Sequence, residues 1–319
     1  MDEVKNSSRN TKNVIVLSIC QALFNSGRTL TFIAASLVSI TMLGDNLTFV
    51  TAPITMMLVG TAASTLPSAF IMRQLGRKWG FVIGALVGTI GSGVAAHAVA
   101  IDSFMLFNLG LFLFGLYGGT AQQYRFAAAD AAPEHIKAKS VSIVISMGVV
   151  GAFVGPETTL MTKNLLSTIP FEGTFWALGV FCFAAAVIVL GIDIPNLTEE
   201  ESQESGRPLS EIVVIPTFIV ALVAALFGYA VMNLLMTATP VTMRVDVFAD
   251  NNIARVIQWH VVGMFAPGFF TGHLIRKFGV VRIIVIGSAL LLGSVMVALH
   301  GNNFINFFAA LFFLGVGWN

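Results

Sequence analysis

Ten long apolar stretches alternate with short polar connections along this chain of 319 residues. Each is close to the length of about 20 residues that a helix needs to cross the hydrocarbon core of a bilayer. A transmembrane β-barrel would instead show short strands of alternating polarity. The pattern therefore predicts membrane-spanning helices at 14–41, 50–72, 80–101, 104–125, 141–165, 172–192, 212–238, 256–275, 282–299 and 304–319.

The first predicted helix contains a polar interruption, "QALFNSGRTL" (21–30). The apolar flanks, "VIVLSICQALF" and "TLTFIAASLVSITML", have 11 and 15 residues, so neither is long enough to cross alone. Joined, they form one crossing with Arg28 near its centre. Because Gln21, Asn25 and Arg28 follow the spacing i, i+4, i+7, they line one face of that helix.

Composition agrees with a protein that is solvated by lipid. Hydrophobic residues make up 56% of the chain and charged residues only 10%, against about 25% in soluble domains. The net charge of +1 gives no indication of a nucleic-acid partner. Cys20 and Cys182 both lie in apolar runs, where they form neither a disulfide framework nor a metal-ligand pattern. We expect no cofactor and no metal.

The connections give an orientation and a division of the chain. If the N-terminus is cytoplasmic, thirteen Lys and Arg residues lie inside and three lie outside, which satisfies the positive-inside rule. Residues 193–211, "DIPNLTEEESQESGRPLSE", are polar, acidic and long enough to link two bundles. We predict a six-helix bundle at 1–192, a cytoplasmic linker at 193–211 and a second bundle at 212–319.

The chain contains an internal repeat. A shift of 203 residues places "AFIMRQLGRKWGFVIGAL" (69–86) over "GHLIRKFGVVRIIVIGSA" (272–289), and a slightly different shift places 111–118 over 311–318. The first shift aligns Arg73 with Arg276, Gly76 with Gly279, Ile83 with Ile286 and Gly84 with Gly287. Parallel repeats of this kind occur in transporters, where the solute site lies between the halves near the bilayer midplane.

The two basic turns resemble a motif of the major facilitator superfamily of transporters. The motif reads glycine, any residue, leucine, any residue, Asp-Arg, any residue, Gly-Arg-Arg. The matching positions are Gly76, Arg77 and Lys78 in the first turn and Gly272, Leu274 and Gly279 in the second. Both turns have arginine, Arg73 and Arg276, where the family has an aspartate that helps to hold the outward-open gate.

A second resemblance lies in helix 5. "GVVGAFVGPETTL" is similar to the Gly-x-x-x-Gly-Pro motif of proton-coupled exporters in the same superfamily, at Gly151, Gly155 and Pro156. The closing glycine pair of that motif is replaced by Thr159 and Leu160. We expect the breaks at Pro156, Pro240 and Pro267 to give helices 5, 7 and 8 places to bend.

The resemblance covers the whole chain and implies a fold. It implies an all-α polytopic membrane protein with two pseudo-symmetric helical bundles, similar to a bacterial branch of the family with unassigned substrates. The family has twelve helices, so we expect a fragment with about ten of them. A monomer in the lipid bilayer of the bacterial inner membrane is also implied.

The same resemblance implies secondary transport of a small organic solute by alternating access, either coupled to protons or as an uncoupled facilitator. A non-transporting sensor or scaffold of the same fold is the alternative. An enzyme would need a nucleophile with its base, paired acids or metal ligands, and the motifs for these are missing from the sequence. We therefore predict that the protein is not an enzyme.

Several polar residues inside the spans are candidates for the solute site. Helix 1 borders the central cavity in this fold, so Gln21, Asn25 and Arg28 are predicted to face solute, with Arg28 attracting an anionic or strongly accepting group. A structural arginine neutralised by a neighbouring helix is the alternative. Further candidates are Tyr117 and Gln122 in helix 4 and Tyr229 and Asn233 in helix 7, which could also join helices by hydrogen bonds.

Two titratable residues are candidates for proton coupling. Glu157 is the one carboxylate well inside a predicted span. Three roles fit it: a titrating proton site, a fixed partner for Arg28, or a carboxyl group that binds backbone freed by Pro156 or Gly155. His260 in helix 8 is a candidate proton relay or a histidine satisfied within the bundle.

Arg28 can be tested by comparing Arg28→Gln with Arg28→Lys. A charge near the bilayer centre costs about 3 kcal/mol on insertion scales and is retained where it faces a cavity or a partner. We expect the Gln variant to lose transport in vesicles and the Lys variant to retain part of it. Normal transport by a well-expressed Gln variant would rule out an electrostatic role in solute binding.

Overall fold

The computed structural model describes residues 2–44, 46–133, 136–166, 169–194 and 208–319. Regular structure in these residues is helical, with a short 3₁₀ turn at Leu47–Phe49. The helices are α1 (Asp2–Leu43), α2 (Ala52–Ala100), α3 (Phe104–Ala121), α4 (Tyr124–Asp130), α5 (Lys137–Ser146), α6 (Gly148–Thr162), α7 (Glu172–Val189), α8 (Leu209–Ile212), α9 (Pro216–Val245), α10 (Asp250–Phe265), α11 (Gly268–Phe278), α12 (Val280–His300) and α13 (Phe304–Trp318).

The ten predicted crossings are confirmed as helical segments. Helix α2 contains two of them, folded back at Gly76, and three others each consist of two helices end to end: α3 with α4, α5 with α6, and α10 with α11. Most of the predicted linker, 195–207, lies outside the described residues. We call α1–α7 the first half and α9–α13 the second half, and the domain bounds themselves stay a prediction.

Helix α1 runs without interruption through the polar stretch that contains Arg28. The hydroxyls of Ser26 and Thr29 donate to carbonyl oxygens of their own helix, Ala22 at 2.8 Å and Asn25 at 2.9 Å. This back-bonding satisfies the small polar groups inside the helix and leaves its backbone ladder intact. The prediction of a single crossing is therefore confirmed.

The repeat is visible in the backbone of the two basic turns. Gly76 has φ 81° and ψ 161°, and Gly279 has φ 83° and ψ 155°. Residues with a side chain rarely adopt this conformation, so both turns need glycine. Since successive crossings alternate in direction, both turns lie at the same end of the bundle, which we call the Gly76 end.

Helix packing repeats as well. A Cβ atom at Gly60 would lie 3.1 Å from the amide nitrogen of Leu116, and one at Gly263 would lie 3.2 Å from that of Val316. The same positions of the two halves thus bring the second and fourth crossings of each half into backbone contact. Gly84 and Gly88 likewise approach Thr120 and Tyr117, as small residues at membrane helix interfaces do.

The glycine-proline motif of helix 5 has a packing role. A Cβ atom at Gly151 would lie 2.7 Å from the Cβ of Asn25, and one at Gly155 would lie 2.6 Å from the carbonyl oxygen of Ser26. Helix α6 therefore rests directly on the polar stretch of α1. Helix α6 continues through Pro156, and the boundary between the two helices of this crossing lies at Met147; a bend at Pro156 stays a prediction.

Substitution of Gly155 by Ala should lower the melting temperature in detergent, because its Cβ has no space against Ser26. Gly293→Ala is the matched control, since a Cβ at that helical glycine meets nothing within 4 Å. There alanine should be neutral or stabilising by up to about 1 kcal/mol, the difference in helix propensity. Equal melting temperatures for the two variants would contradict the close α1–α6 contact.

Candidate functional site

The two halves meet along α6 and α10, which pack antiparallel. Gly148 contacts the ring of Phe265 at one end. Further along, Glu157 forms an ion pair with Arg255, with an N–O distance of 2.9 Å. At the other end, Lys163 forms an ion pair with Asp250, also at 2.9 Å. Residue numbers rise along α6 as they fall along α10, so this contact extends over the whole length of both helices.

An ion-pair cluster joins the halves at the end of the bundle opposite Gly76, which we call the Asp250 end. The Asp250 carboxylate receives Lys163 Nζ on one oxygen and, at 3.1 Å, Arg244 Nη1 on the other. The Asp250 side chain is only 18% exposed. One carboxylate of the second half therefore binds cations from both halves at this end.

Glu157 belongs to a second contact between the halves. Its partner Arg255 also donates to Gln258 Oε1 at 2.8 Å. The expectation that Glu157 is a fixed partner for Arg28 is therefore wrong, because Arg255 projects from the facing helix α10 and occupies the carboxylate. Both side chains of the pair are about half-exposed, at 47% and 51%. The role of a titrating proton site stays a prediction.

A cavity lies between the halves, with walls from α1, α9 and α10. Its lining residues are Asn25, Arg28, Thr29, Phe32, Met236, Val261, Met264 and Phe265. The space open to the centre of a water molecule is about 20 Å³. That is room for about one water. The cavity is therefore narrow in this conformation.

Arg28 provides the charge of this cavity. Its guanidinium carbon lies 5.7 Å from the ring centroid of Phe32, within the range of a cation–π contact. Within the described residues it forms no ion pair with a carboxylate. It is close enough to Tyr229 and His260 to interact with both electrostatically. The alternative of a structural arginine neutralised by a neighbouring helix therefore has no carboxylate partner among these residues, and it stays open for other polar groups.

Three buried polar atoms near the cavity lack a hydrogen-bond partner among the described residues: Asn25 Nδ2, Asn233 Oδ1 and His260 Nε2. Asn25 lines the cavity directly. Asn233 lies about one helical turn before the lining residue Met236, and His260 precedes Val261. An unsatisfied buried polar group costs about 1–3 kcal/mol, so three together favour a site that a ligand completes.

The other predicted solute contacts are not in the lining of this cavity. Tyr117 is fully buried, packs edge-on against Phe24 at 5.3 Å, and places its hydroxyl 3.1 Å from that of Tyr124. Gln122 is exposed where α3 ends, and Gln21 is partly buried. Tyr229 is half-exposed and packs edge-on against Trp318 at 5.4 Å. Their roles in solute binding stay predictions.

The basic turn of the first half is held by an ion pair. Arg77, directly after Gly76, pairs with Asp130 at the end of α4. Lys78 is partly buried beside it. In the second half, Arg276, Lys277 and Phe278 directly precede Gly279. The Lys277 ammonium lies 5.3 Å from the ring centroid of Phe278. A gating role for these turns stays a prediction.

A larger cavity, of about 190 Å³, lies inside the first half between α2 and α3. Its polar lining consists of the hydroxyls of Ser64, Ser68 and Thr120, and its other lining residues are apolar or glycine. It contains no charged side chain and does not touch the second half. The cavity at Arg28 is therefore the better candidate for a solute site, although it is smaller.

Sequence reasoning missed the lining residues from the second half and the cluster at Asp250. Met236, Met264 and Phe265 resemble ordinary apolar residues of a span, so only the packing identifies them. The cluster did leave a signal. Lys163, Arg244 and Arg255 are the three cations that the positive-inside count placed outside, and all three form ion pairs at the contact between the halves or beside it. The described residues contain no group of three or more His, Cys, Asp or Glu that could hold a metal.

Comparison with known proteins identifies relatives over nearly the whole chain. The model of the Major Facilitator Superfamily matches residues 17–319. The riboflavin transporter RfnT of Brucella anthropi is 38% identical over 310 residues, which cover 97% of this chain and 78% of RfnT. The uncharacterized MFS-type transporter YdeG of Bacillus subtilis is 28% identical over 334 residues, which cover 99% of this chain and 77% of YdeG.

Solved structures share the fold at low sequence identity. The nucleoside transporter NupG superposes with a TM-score of 0.69 at 10% identity, over 96% of this chain and 79% of NupG. FucP in its outward conformation superposes with a TM-score of 0.65 at 14% identity, over 95% of this chain and 81% of FucP. The family match and the identity to RfnT agree with the repeated turns and the contact between the halves. The chain therefore belongs to the major facilitator superfamily, a family of multi-pass membrane transporters.

Proposed function

We propose that the protein moves a small organic solute across the membrane by alternating access, with the cavity at Arg28 as its solute site. The observation that carries this proposal is the position of the cavity. It lies between the two halves, is narrow, and is flanked toward the Asp250 end by ion pairs that cross from one half to the other. Solute can enter from that end only if the halves move apart there.

We further propose riboflavin, or a compound with a similar flat heteroaromatic ring, as the solute. RfnT supports this choice because it is 38% identical over nearly the whole chain. The lining also suits such a ring. Phe32 and Phe265 offer aromatic surfaces, Met236 and Met264 offer adaptable thioethers, and Arg28 offers donors to ring carbonyls. Riboflavin fits the expectation of a strongly accepting group at Arg28.

Coupling to protons fits the contact between Glu157 and Arg255. Their ion pair joins α6 of one half to α10 of the other, and both side chains are about half-exposed. A proton on Glu157 would remove the charge that holds Arg255 and would weaken this contact. Proton binding would in this way favour separation of the halves. An uncoupled facilitator is the nearest alternative and would leave transport independent of the proton gradient.

Uptake of labelled riboflavin into vesicles should rise several-fold when an inward proton gradient is imposed and should fall when a protonophore is added. Glu157→Gln should lose this stimulation, because the amide cannot bind and release a proton. Asp102→Asn is the matched control, an exposed carboxylate in the connection between α2 and α3. Stimulation that survives in the Gln variant would remove Glu157 from the coupling mechanism.

The alternating-access proposal makes a separate prediction at the Asp250 end. With Met236→Cys as a reporter in the cavity lining, Asp250→Asn should increase labelling by a membrane-impermeant thiol reagent. The increase should be about fivefold, because destabilising the closed form by about 1 kcal/mol raises the open population by that factor. Asp246→Asn is the control, an exposed carboxylate four residues away. Equal labelling rates in the two variants would contradict closure by the Asp250 cluster.

Binding of riboflavin without uptake would favour the alternative of a sensor with the transporter fold. The measurement is equilibrium binding to the purified protein beside uptake into vesicles of the same preparation. A transporter shows both activities. A sensor would show saturable binding and no accumulation above vesicles without protein.

A further inference from the structure

The protonation of His260 is determined by its surroundings. Its Nδ1 lies 2.8 Å from the carbonyl oxygen of Leu311 on α13, and a carbonyl oxygen can only accept. Nδ1 therefore carries the ring proton. In a neutral imidazole the other nitrogen then has a free lone pair, so Nε2 is a buried acceptor without a partner among the described residues.

A second acceptor is determined in the same way. Asn233 Nδ2 donates to the carbonyl oxygen of Tyr229 at 2.8 Å, one turn earlier in α9. This bond establishes which end of the amide is the oxygen, and Oδ1 is buried without a partner among the described residues. Both free acceptors, His260 Nε2 and Asn233 Oδ1, belong to the second half.

The free donors belong to the first half. Asn25 Nδ2 is buried and unpartnered in the described part of the chain, and Arg28 presents its guanidinium to the same cavity. Helix α1, which carries these donors, packs against α9 and α10, which carry the two acceptors. A solute that satisfies both sets must itself alternate acceptors with a donor.

We propose that these four side chains recognise an imide edge, C=O–N–H–C=O, such as the one in a pyrimidine-2,4-dione or an isoalloxazine ring. The imide N–H donates to His260 Nε2, and the flanking carbonyl oxygens accept from Asn25 and Arg28. Asn233 Oδ1 is a second acceptor for a neighbouring donor of the solute. This inference rests on the proposed function, since it names the group that the same cavity recognises.

A simple anion fits this set less well than an imide does. A carboxylate has acceptors only, so it would bind Arg28 and Asn25 but leave His260 Nε2 and Asn233 Oδ1 buried and unsatisfied. Leaving such acceptors unsatisfied offsets much of the gain from a hydrogen bond to a charged group. The acceptors of the second half therefore select for a donor between the two carbonyls.

The imide also links binding to closure. Its carbonyl groups bind α1 of the first half, and its N–H binds α10 of the second half, so one small group bridges the interface. A site that hydrogen-bonds a particular N–H also discriminates strongly against an analogue that lacks it, because the protein acceptor is then left unpaired. N-methylation of the imide removes that N–H and adds bulk where His260 lies.

The test compares riboflavin with N3-methylriboflavin in equilibrium binding to the purified protein. For the unmodified chain we expect the methylated compound to bind at least about tenfold more weakly. His260→Leu should weaken riboflavin binding by a similar factor and should abolish the difference between the two compounds. His97→Leu, at an exposed histidine near the end of α2, should leave both affinities unchanged.

Each outcome decides between this inference and the proposed function. Equal binding of the two compounds by the unmodified chain, which needs no variant, would overturn the imide contact and leave riboflavin as the solute. If riboflavin does not bind but uracil or thymine binds and its N3-methyl derivative does not, the imide contact stands and riboflavin is rejected. If none of these imides binds, both are overturned.

Discussion

The position of Arg28 in the middle of α1 constrains the rest of this molecule. A guanidinium at that depth needs polar surroundings, and lipid offers none. Helix α1 places it between the two halves, where Asn25, Tyr229 and His260 are near. The close packing of Gly151 and Gly155 keeps α6 against the same stretch of α1. Helix packing and the chemistry of the cavity are therefore connected at one short stretch of the chain.

The two halves share their scaffold but differ in chemistry. The repeated glycines make equivalent backbone contacts, so that Met57 lies against Gly115 in the first half as His260 lies against Gly315 in the second. The shift of 203 residues that aligns the basic turns also aligns Met57 with His260. A thioether in one half thus corresponds to a hydrogen-bonding imidazole in the other. Symmetry of the backbone provides two matched halves, and substitution at this pair of equivalent positions gives a hydrogen-bonding side chain to only one of them.

Much of the fold was predictable from the sequence, because lipid enforces long apolar helices and the repeat reveals their pairing. The ten helical segments and the single helix through Arg28 are confirmed. The helix boundary at Met147 was not predicted, because no proline or charged residue marks it in the sequence. Glu157 contacts Arg255 and not Arg28 because of the register in which α6 packs against α10. The spacing of residues along one helix does not reveal how it aligns with another helix. The lining methionines and phenylalanines look like any apolar residue of a span until the helices are assembled.

Ion pairs connect the two halves at and near the Asp250 end. Arg244, Arg255 and Glu157 are each about half-exposed, so ions in the surrounding water can reach them. Pairs of this kind weaken as the Debye length shrinks, from about 10 Å at 0.1 M to about 3 Å at 1 M salt. If the halves separate at this end as proposed, the salinity of the compartment that it faces should shift that balance, whereas the glycine-packed interior of each half should be insensitive to it.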